Sequence, residues 1–590
     1  MFRLVRPVGC VLFCFAVAAP QSGVEAASRP NVIVVMTDDQ GYGDFGFTGN
    51  PVVWTPHLDA MAARSARLPR FWVSPVCAPT RASLLSGRYN YRTRAIDTFV
   101  GRAMMDPAEV TVAEILRDAG YATGIFGKWH LGDCYPMRAI DQGFETALVH
   151  RGGGIGQPSD PPGAEGKYTD PVLFRDGVAE SQRGYATDVY FDAALAWIER
   201  AQHADRPFFV YLPTNAPHGP FDDVPPALLE RYSKVDLRGV VDAKDDGQLD
   251  DGRLTATTGR VFAMITNIDE NVGRLFARLH ALDLTRSTLV LFLVDNGPNG
   301  PRFAGGLRGQ KASVLEGGIR SPFLAHWPGR LPPGDASDRI AAHIDILPTI
   351  LEAAGVEVPP GLRLDGRSLL PLLERRTVEW PDREIVIQSH RGDVPVRYHN
   401  FALIAERWKL VHPSGFGRES FDGEPRFELY DLVDDPFEAR DRAAEQAEVV
   451  ARLRARYDAW FDDVGSTRAE NFAPPRIVLG SDHENPVVLT RQDWRHDRGE
   501  PWGDGSLGHW LVHVERPGEY AVRVRLRPRD GVGRVTLRVG SAEAAMPIAG
   551  GDTIVDFAPL AVTAGDANVE CEVTHGDEVR GAWQVEVSRR

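Results

Sequence analysis

Four apolar runs, rich in β-branched residues, predict buried strands in the first half of the chain. They cover residues 31–37, 121–126, 208–212 and 289–294. Continuous apolar runs of this kind are typical of strands covered on both faces, as in a parallel sheet. Segments predicted to be helical separate them, at 56–67, 185–200 and about 260–282, and the spelling of a capping box begins another at Thr111. This alternation predicts an α/β domain with a doubly wound, largely parallel sheet.

The pattern changes from Glu384 onward, where the predicted strands are short and alternate polar with apolar residues. A small subdomain is predicted here, with strands at 400–404, 407–411 and 427–432 and a helix at about 443–461. Residues 473–475 predict a linker. Five later runs alternate with period two and predict a separate, added C-terminal β-sandwich: 510–514, 520–524, 535–539, 569–573 and 583–587. The sequence is compatible with two roles for this β-sandwich, a glycan-binding module or a structural appendage.

The first residues have the pattern of a secretory signal peptide. Basic residues precede the apolar run 8–19, and Val24-Glu25-Ala26 follows as a cleavage site. The run is short for a membrane span, so we expect cleavage near Ala26, a secreted or periplasmic protein and no stable membrane span. The predicted organisation is a signal peptide at 1–26, an α/β domain at 27–383, the subdomain at 384–472 and the β-sandwich at 476–590.

Charge and cysteine content narrow the classes of function. The formal net charge of −15 argues against nucleic-acid binding, which requires basic surfaces. An anionic substrate would therefore need a local cluster of cations or a metal. Three cysteines remain after the signal peptide, at 77, 134 and 571, too few for a disulfide framework. A single disulfide between Cys134 and Cys571 remains possible.

Polar side chains follow all four buried strands. In open α/β sheets the carboxyl ends of the strands form the ligand-binding edge, so these side chains are expected to converge there. Three carboxylates and an amide oxygen form a set that suits a hard cation, Ca²⁺ or Mg²⁺. The residues in question are Asp38, Asp39, Lys128, His130, His218, Asp295 and Asn296.

The segment Cys77-Ala78-Pro79-Thr80-Arg81 precedes a short apolar run that is compatible with a helix. Pro79 suits the first helical turn. Cys77 would then lie at the helix N-terminus, where free N–H groups favour an anion, and Arg81 would share its face. The pattern predicts a nucleophile next to a bound oxyanion. The alternative is a buried structural cysteine, since cysteine is among the most buried residue types.

Six motifs occur in an order that resembles the type I sulfatases, and the resemblance extends from about residue 31 to 470. The resemblance implies that residues 384–472 form the small antiparallel-sheet subdomain of that family, with one face packed against a helix. It implies that a formylglycine-generating enzyme oxidises Cys77 to formylglycine. It also implies that a divalent metal, usually Ca²⁺, is held by Asp38, Asp39, Asp295 and Asn296 together with the residue-77 oxygen, and that the basic set is Arg81, Lys128, His130, His218 and Lys311. The motifs are Asp38-Asp39, Cys77-x-Pro79-x-Arg81, Gly127-Lys128-Trp129-His130-Leu131-Gly132, Ala216-Pro217-His218, Asp295-Asn296 and Gly309-Gln310-Lys311.

The resemblance also implies roles for these groups. A sulfate ester repels nucleophiles, so neutralising its charge and positioning it would do most of the catalysis. Asp295 would accept the proton of the attacking hydroxyl at position 77. His218 or Lys311 would protonate the departing oxygen, and His130 would remove the second hydroxyl's proton.

Three functions remain open at this point. The first is an exported sulfatase that hydrolyses sulfate esters, with a sulfated carbohydrate as the expected substrate. The second is a phosphodiester or phosphonate-monoester hydrolase of the same superfamily, since phosphate and sulfate esters need similar clamps. The third is a sulfatase-like protein that binds sulfated glycans without hydrolysing them.

Three further segments receive structural interpretations. The glycine-rich run 151–156 follows no predicted strand, so we expect a flexible loop near the mouth of the crevice rather than a dinucleotide site. The acidic stretch 235–252 predicts a solvated insertion. The tripeptide Arg391-Gly392-Asp393 is too common to indicate a function.

Overall fold

The computed structural model describes Met1 and residues 29–241, 251–470 and 472–590. The predicted signal peptide, apart from Met1, and the centre of the predicted acidic insertion lie outside these ranges. Across the described ranges, no helix combines the length and the apolar character that a bilayer crossing requires.

The first domain alternates strands and helices as the sequence predicts. Its elements are β1 (Asn31–Thr37), α1 (Pro56–Arg64), β2 (Ala66–Arg67), β3 (Phe71–Trp72), α2 (Cys77–Ser86), α3 (Val112–Asp118), β4 (Ala122–Lys128), β5 (Thr146–His150), β6 (Val172–Arg175), β7 (Val178–Ser181), α4 (Ala186–His203), β8 (Phe208–Pro213), α5 (Pro226–Ser233), α6 (Asp251–Ala281), β9 (Thr288–Val294), α7 (Glu316–Ile319), β10 (Leu324–His326), β11 (Gly334–Asp335), β12 (Ala341–Ala342), α8 (Ile346–Ala354) and α9 (Leu370–Leu373).

One sheet organises this domain, with the strand order β11-β2-β10-β9-β1-β8-β4-β5-β6-β7. The five central strands, β9-β1-β8-β4-β5, are mutually parallel. Antiparallel pairs join β10 to β9 and β2 on one side, and β6 to β5 and β7 on the other. The four strands predicted from apolar runs are thus neighbours in the middle of the sheet.

Helices cover both faces of this sheet, which confirms the doubly wound α/β fold. Successive side chains of β1 point to opposite faces: Val34 packs in one apolar cluster with α2, α3 and α8, and Val35 packs in the other with α1, α4 and α6. Every residue of β1 is buried. Because both faces are covered, the strand is apolar throughout between its first residue, Asn31, and its last, Thr37.

The long helix α6 begins earlier than its hydrophobic pattern predicts. The sequence places its start at about Arg260, whereas the helix begins at Asp251 and includes Gly252 and Gly259. Leu254 and Thr258 are buried in this added part, which packs alongside α5. Tertiary packing therefore outweighs the low helix propensity of the two glycines. The end of the predicted acidic insertion, at 251–252, is therefore the start of this helix, and Gly252 is exposed.

A four-stranded antiparallel sheet follows the α/β domain. It contains β13 (Ile385–Gln388), β14 (Phe401–Ile404), β15 (Trp408–His412) and β16 (Glu428–Asp431), in that spatial order, and α10 (Ala447–Gly465) comes after it. Alternate residues separate the two faces. Phe401 and Leu403 pack on Tyr457 of α10, while Ala402 and Ile404 join an apolar cluster shared with the first domain.

The carboxylate of Glu316 joins this subdomain to the α/β domain. It accepts hydrogen bonds from the indole of Trp72 at 2.9 Å and from Lys409 at 2.8 Å, and it pairs with Arg320. Glu438 pairs with Lys409 at 2.7 Å and accepts the backbone N–H of Glu316 at 2.8 Å. Burial alone would raise the pKa of Glu316, but Arg320 and Lys409 lower it to about 2. A compensated set of buried charges therefore holds the two units together.

The remaining residues form two packed sheets. The strands are β17 (Ile477–Leu479), β18 (Val487–Thr490), β19 (Arg495–Arg498), β20 (Leu507–Val514), β21 (Gly518–Arg525), β22 (Gly533–Val539), β23 (Ala542–Ile548), β24 (Ile554–Val562), β25 (Gly565–His575), β26 (Glu578–Gly581) and β27 (Gln584–Arg589). One sheet has the order β17-β20-β25-β22-β23, with β19 on β20 and β26 on β25; the other has the order β18-β27-β21-β24. This confirms the predicted β-sandwich.

The sandwich is docked on the α/β domain and is not a freely tethered module. Its apolar core includes Met104, Cys134 and Met137 of the first domain. Glu484 accepts the backbone N–H of Tyr135 at 2.7 Å, and Val478 donates its backbone N–H to the Tyr135 carbonyl at 3.0 Å. The predicted linker at 473–475 therefore leads directly into a buried interface.

The cysteine pair left open by the sequence is not bonded. Cys134 and Cys571 are buried free thiols within the same apolar cluster, and Cys134 contacts the carbonyl oxygen of Val488 at 3.3 Å.

Replacing Lys409 with methionine tests the charge set around Glu316. Removing one member of a buried ion pair leaves an uncompensated charge, and we expect Lys409→Met to lower the free energy of unfolding by about 3–5 kcal/mol in urea titrations. Lys234, 70% exposed and paired with Glu230, provides the control, for which Lys234→Met should change stability very little. Equal free energies of unfolding for the two variants would contradict a stabilising role of the Lys409–Glu316 pair.

Candidate active site

The register of the central strands brings their polar ends to one level. Thr37 at the end of β1 lies opposite Val294 of β9, and Met36 lies opposite Pro213 of β8. The next residues continue this contact, because Asp295 donates its backbone N–H to the Thr37 carbonyl at 3.0 Å. The carboxyl edge of the sheet therefore collects Asp38, Asp295 and the end of β4 in one place, as the strand-end rule predicts.

Cys77 is the first residue of α2 and is only 2% exposed. The helix is anchored to the sheet by Thr80, whose hydroxyl accepts the backbone N–H of Ser74 at 3.0 Å and donates to the Asp295 carbonyl at 2.7 Å. Burial raises the pKa of the Cys77 thiol. An unmodified Cys77 is therefore a protonated thiol, which is a weak nucleophile.

Three carboxylates are paired one to one with three cations beside Cys77. Lys128 lies 2.5 Å from Asp38, Arg81 lies 2.8 Å from Asp295, and Lys311 lies 2.5 Å from Asp39. All six side chains are buried except Lys311, which is 18% exposed. Without further ions, the charges of this cluster cancel.

The pairing also sets the ionisation of the carboxyl groups. Burial alone would raise the pKa of Asp38 and Asp39, but Lys128 and Lys311 respectively lower them, and both end below their ordinary values. Burial, followed by the charge of Asp38, raises the pKa of Asp295 to about 7. Burial would lower the pKa of Lys311, yet Asp39 raises it above its ordinary value, so the ammonium group keeps its proton.

The backbone of Asp39 directs its side chain into the same cluster as Asp38. In an extended strand two consecutive side chains point to opposite sides. Asp39 instead adopts a positive φ of 60°, in the left-handed region that non-glycine residues rarely occupy. Its backbone N–H donates to Asp295 at 3.2 Å, and its carbonyl accepts from Arg302 at 2.7 Å. These bonds hold the unusual turn.

The cluster has the donor set of a hard divalent cation. Three of its buried oxygens have no hydrogen-bond partner among the residues that the structure describes: Oδ1 of Asp38, Oδ2 of Asp39 and Oδ1 of Asn296. An unsatisfied buried polar atom costs about 1–3 kcal/mol, which a bound cation would offset. Ligand atoms of Asp38, Cys77 and Asp295 also lie within 4.8 Å of one another. Carboxylate and amide oxygens are ligands that Ca²⁺ and Mg²⁺ prefer.

The hydrogen bond of His130 fixes its tautomer. Its Nε2 lies 2.7 Å from the carbonyl oxygen of Thr98, which can only accept, so Nε2 carries the hydrogen. Burial, and then the charge of Lys128, hold the pKa of His130 well below its ordinary value, so the ring is neutral. Nδ1 is then unprotonated, and it has no hydrogen-bond partner within the described ranges.

His218 presents the opposite nitrogen. Its Nδ1 donates to the Gly219 carbonyl at 2.9 Å, which leaves Nε2 for other partners, 3.7 Å from Oδ2 of Asp39. Burial lowers the pKa of His218 below its ordinary value. Both imidazoles therefore offer one nitrogen that is not engaged by the backbone.

The glycine-rich run predicted to be a flexible loop is packed against both histidines. A Cβ atom at Gly153 would lie 3.0 Å from the His130 ring, and one at Gly154 would lie 2.8 Å from the His218 ring. Side chains cannot be accommodated there without displacing the imidazoles. The segment lies near the mouth of the crevice, as expected. Its backbone, however, packs directly against the two histidine rings.

A cleft of about 570 Å³ opens above Cys77, within the usual range for small-molecule sites. Cys77, His130, His218 and Lys311 line it, whereas Arg81 and Lys128 lie beneath, where they bind the carboxylates. A larger cleft of about 830 Å³ lies beyond the loop that carries Lys311, and Cys77 and the two histidines are not part of its lining. The nine other site residues predicted from the sequence are thus gathered around Cys77.

Several residues of the cleft were missed by sequence reasoning. Arg391, from a tripeptide to which no function was assigned, lines the cleft, as do Phe99 and Trp502. Gln492 of the sandwich donates from Nε2 to the Thr98 carbonyl at 2.9 Å, the same oxygen that fixes His130. None of these residues follows a strand of the parallel sheet, so the strand-end rule could not find them.

Comparison with family models identifies the class of protein. The model described as Sulfatase matches residues 30–356, more than half of the chain. The model described as N-sulphoglucosamine sulphohydrolase, C-terminal, matches residues 310–460. Both matched ranges end before the β-sandwich.

Individual relatives agree with this result. N-acetylgalactosamine-6-sulfatase of Canis lupus familiaris is 32% identical over 407 residues, which cover 63% of this chain and 71% of that protein. Arylsulfatase A of Bos taurus is 34% identical over 514 residues, 78% of this chain and 93% of that protein. The crystal structure of Ps i-CgsB in complex with k-i-k-neocarrahexaose has a similar fold, with a TM-score of 0.62, 23% identity, and coverage of 76% of this chain and 95% of that one. The chain therefore belongs to the sulfatase family, whose members are sulfuric ester hydrolases.

Proposed function

We propose that this sulfatase is exported and hydrolyses a sulfate ester of a carbohydrate, with formylglycine at position 77 and Ca²⁺, or alternatively Mg²⁺, as its metal. The observation that carries the proposal is the position of Cys77, which begins α2 between the paired carboxylate cluster and a cleft lined by two neutral histidines. A formylglycine-generating enzyme would act on the chain before it is active.

The names of similar proteins support a carbohydrate substrate. One relative is named for a sulfated N-acetylgalactosamine, and one structural neighbour was solved with an oligosaccharide of the neocarrahexaose type. The proposal of export, to the periplasm or outside the cell, rests on the signal-peptide pattern at 1–26.

The carboxylates and Asn296 would hold the cation. When present, formylglycine hydrate supplies a nucleophilic hydroxyl together with a second hydroxyl, and the cation supplies positive charge next to them. Arg81 and Lys128 hold Asp295 and Asp38 in position from below the cleft. With all three carboxylates ionised the six protein charges cancel, and a divalent cation would then leave a local surplus of positive charge that attracts an anionic ester.

Three side chains would face the ester. The Lys311 ammonium, which lines the cleft, would neutralise a sulfate oxygen. Nδ1 of His130, which has no hydrogen-bond partner among the described residues, would accept a proton from a group at residue 77. Lys311, whose ammonium group keeps its proton, or His218 in its imidazolium form, through Nε2, would donate a proton to the departing oxygen, which is needed most when the leaving group is a sugar alcohol.

Mass spectrometry of the peptide that contains Cys77 tests the nucleophile. Formylglycine would make this peptide lighter by about the mass of one water molecule. In protein from its native host we expect the modified form, and we expect Cys77→Ala to lower kcat/KM by about a thousandfold or more while thermal stability is retained. Cys571→Ala, in the sandwich core, is the control that should keep activity. Full activity with an unmodified thiol would refute the proposal.

Comparing ester classes separates the sulfatase from the phosphoryl-transfer alternative. A sulfate monoester presents three terminal oxygens to the cationic cluster, whereas a phosphodiester or phosphonate monoester presents two and leaves one positive group without a partner. We expect kcat/KM for 4-nitrophenyl sulfate to exceed that for the phosphodiester and phosphonate-monoester analogues by about a hundredfold or more. A preference for a phosphorus ester would favour the second hypothesis. Binding of sulfated sugars without turnover of any ester would favour the third.

Thermal unfolding tests the metal site independently of activity. Chelator-treated protein should gain stability when Ca²⁺ is added, by about 2.7 kcal/mol at a hundred times the dissociation constant. Asn296→Ala removes an unpartnered oxygen and the hydrogen bond to Asp39, so the shift in Tm should shrink. Asn299→Ala, on the exposed rim of the same cleft, should keep the full shift. The absence of any shift with Ca²⁺ or Mg²⁺ would contradict the assignment.

A further inference from the structure

A short loop of the β-sandwich forms one wall of the active-site cleft. Residues 500–503, between β19 and β20, line the same cleft as Cys77, His130 and Lys311. The cleft also includes Phe99 of the α/β domain, and Arg391 and Phe416 of the antiparallel subdomain. Three structural units therefore meet around the position where the leaving group of the ester must lie.

Buried hydrogen bonds fix the sandwich at the reaction centre. Gln492, 1% exposed, donates to the Thr98 carbonyl at 2.9 Å and accepts the backbone N–H of Gly101 at 3.2 Å. Asp493 accepts the backbone N–H of Asp133 at 2.7 Å. Because the Thr98 carbonyl is also the partner of His130, the sandwich and the catalytic histidine share one anchor. The 500–503 wall is consequently held at a defined distance from residue 77.

The wall combines aromatic surface with polar groups. Trp502 donates from its indole nitrogen to the Arg491 carbonyl at 3.1 Å, and its ring meets the edge of Phe99 with centroids 5.5 Å apart. The Arg391 guanidinium lies over the Phe99 ring at 3.9 Å and over the Phe416 ring at 4.6 Å. Aromatic faces bordered by hydrogen-bonding groups suit a molecule that is apolar on one face and polar at its edges.

We infer that Trp502, Phe99, Glu500 and Arg391 bind the sugar ring that carries the sulfate, so that the sandwich is a working part of the active site. The inference rests on the proposed carbohydrate substrate and specifies how it is held. The C–H face of the sugar packs on Trp502 and Phe99, Glu500 accepts hydrogen bonds from hydroxyl groups, and Arg391 donates to ring substituents. A volume of about 570 Å³ leaves room for this ring above the sulfate position.

The charges of the outer cleft narrow the class of sugar further. Arg391 is already paired with Asp97 at 2.5 Å, which is fully buried. Glu500 is exposed and forms no ion pair with any residue that the structure describes. The outer cleft therefore carries an uncompensated negative charge. It favours a neutral or amino sugar and disfavours a ring with a second sulfate or a carboxylate.

Kinetics of Trp502 variants in the full-length, formylglycine-containing enzyme test the sugar site. With N-acetylgalactosamine 6-sulfate as the probe, Trp502→Ala should lower kcat/KM by about 10- to 30-fold. The inhibition constant of inorganic sulfate, which has no leaving group and occupies only the sulfate position, should change by less than about threefold. Trp502→Phe keeps an aromatic face and should retain most of the sugar activity. Trp54→Ala is the matched control, because this indole is 49% exposed and packs on Arg231 outside the cleft.

Glu500→Gln tests the charge separately. The wild-type enzyme should prefer N-acetylgalactosamine 6-sulfate to the 4,6-disulfate, and Glu500→Gln should reduce that preference by about tenfold. An unchanged preference would overturn the assignment to neutral sugars.

Each remaining outcome decides between the two proposals. Equal losses of sugar turnover and of inorganic sulfate binding in Trp502→Ala, or failure of Trp502→Phe to retain sugar activity, would overturn the sugar site in favour of a structural role. Unchanged sugar turnover in Trp502→Ala would overturn the site and leave the proposed function intact. If the wild-type enzyme hydrolyses 4-nitrophenyl sulfate but no sugar sulfate, both the sugar site and the carbohydrate part of the proposed function are wrong, while the sulfatase chemistry stands.

Discussion

Charge compensation inside the protein is the constraint on which the rest of the structure depends. Asp38, Asp39 and Asp295 are almost completely removed from water, and each isolated charge there would cost several kcal/mol. Each is paired with a cation from a different part of the chain. The pairs can form together only if β1, β4 and β9 end at one level and α2 starts directly above them. The order of the central strands, the depth of Cys77 and the position of the Lys311 loop all satisfy this one requirement.

Contacts farther from Cys77 also hold the site residues in place. Arg302 binds both Asp44 and the carbonyl of Asp39, and so holds the turn that carries the second carboxylate. The Glu316 set joins the antiparallel subdomain to the first domain. The Thr98 carbonyl connects His130 with the sandwich. Geometry at the reaction centre therefore depends on contacts from every unit of the fold.

Much of this arrangement could be predicted from the sequence, because a parallel sheet relates sequence to space by a simple rule. Apolar runs mark the central strands, and polar residues that follow them must meet at one edge, as Asp38, Lys128, His218 and Asp295 do. The rule is silent on residues contributed by loops of other units, which is why Gln492, Trp502 and Arg391 were missed. It also could not distinguish a flexible glycine-rich loop from one pressed against imidazole rings.

Continuity of the apolar core across the domain boundary has a consequence for how the chain can be divided. Met104, Cys134 and Met137 belong to the α/β domain by sequence but are shielded from water by the sandwich. Cutting the chain near Pro474 would uncover these side chains and release the backbone groups of Tyr135 from their partners. A fragment shortened to the family-matched region would thus expose apolar surface and tend to aggregate. The α/β domain and the β-sandwich therefore form one folding unit.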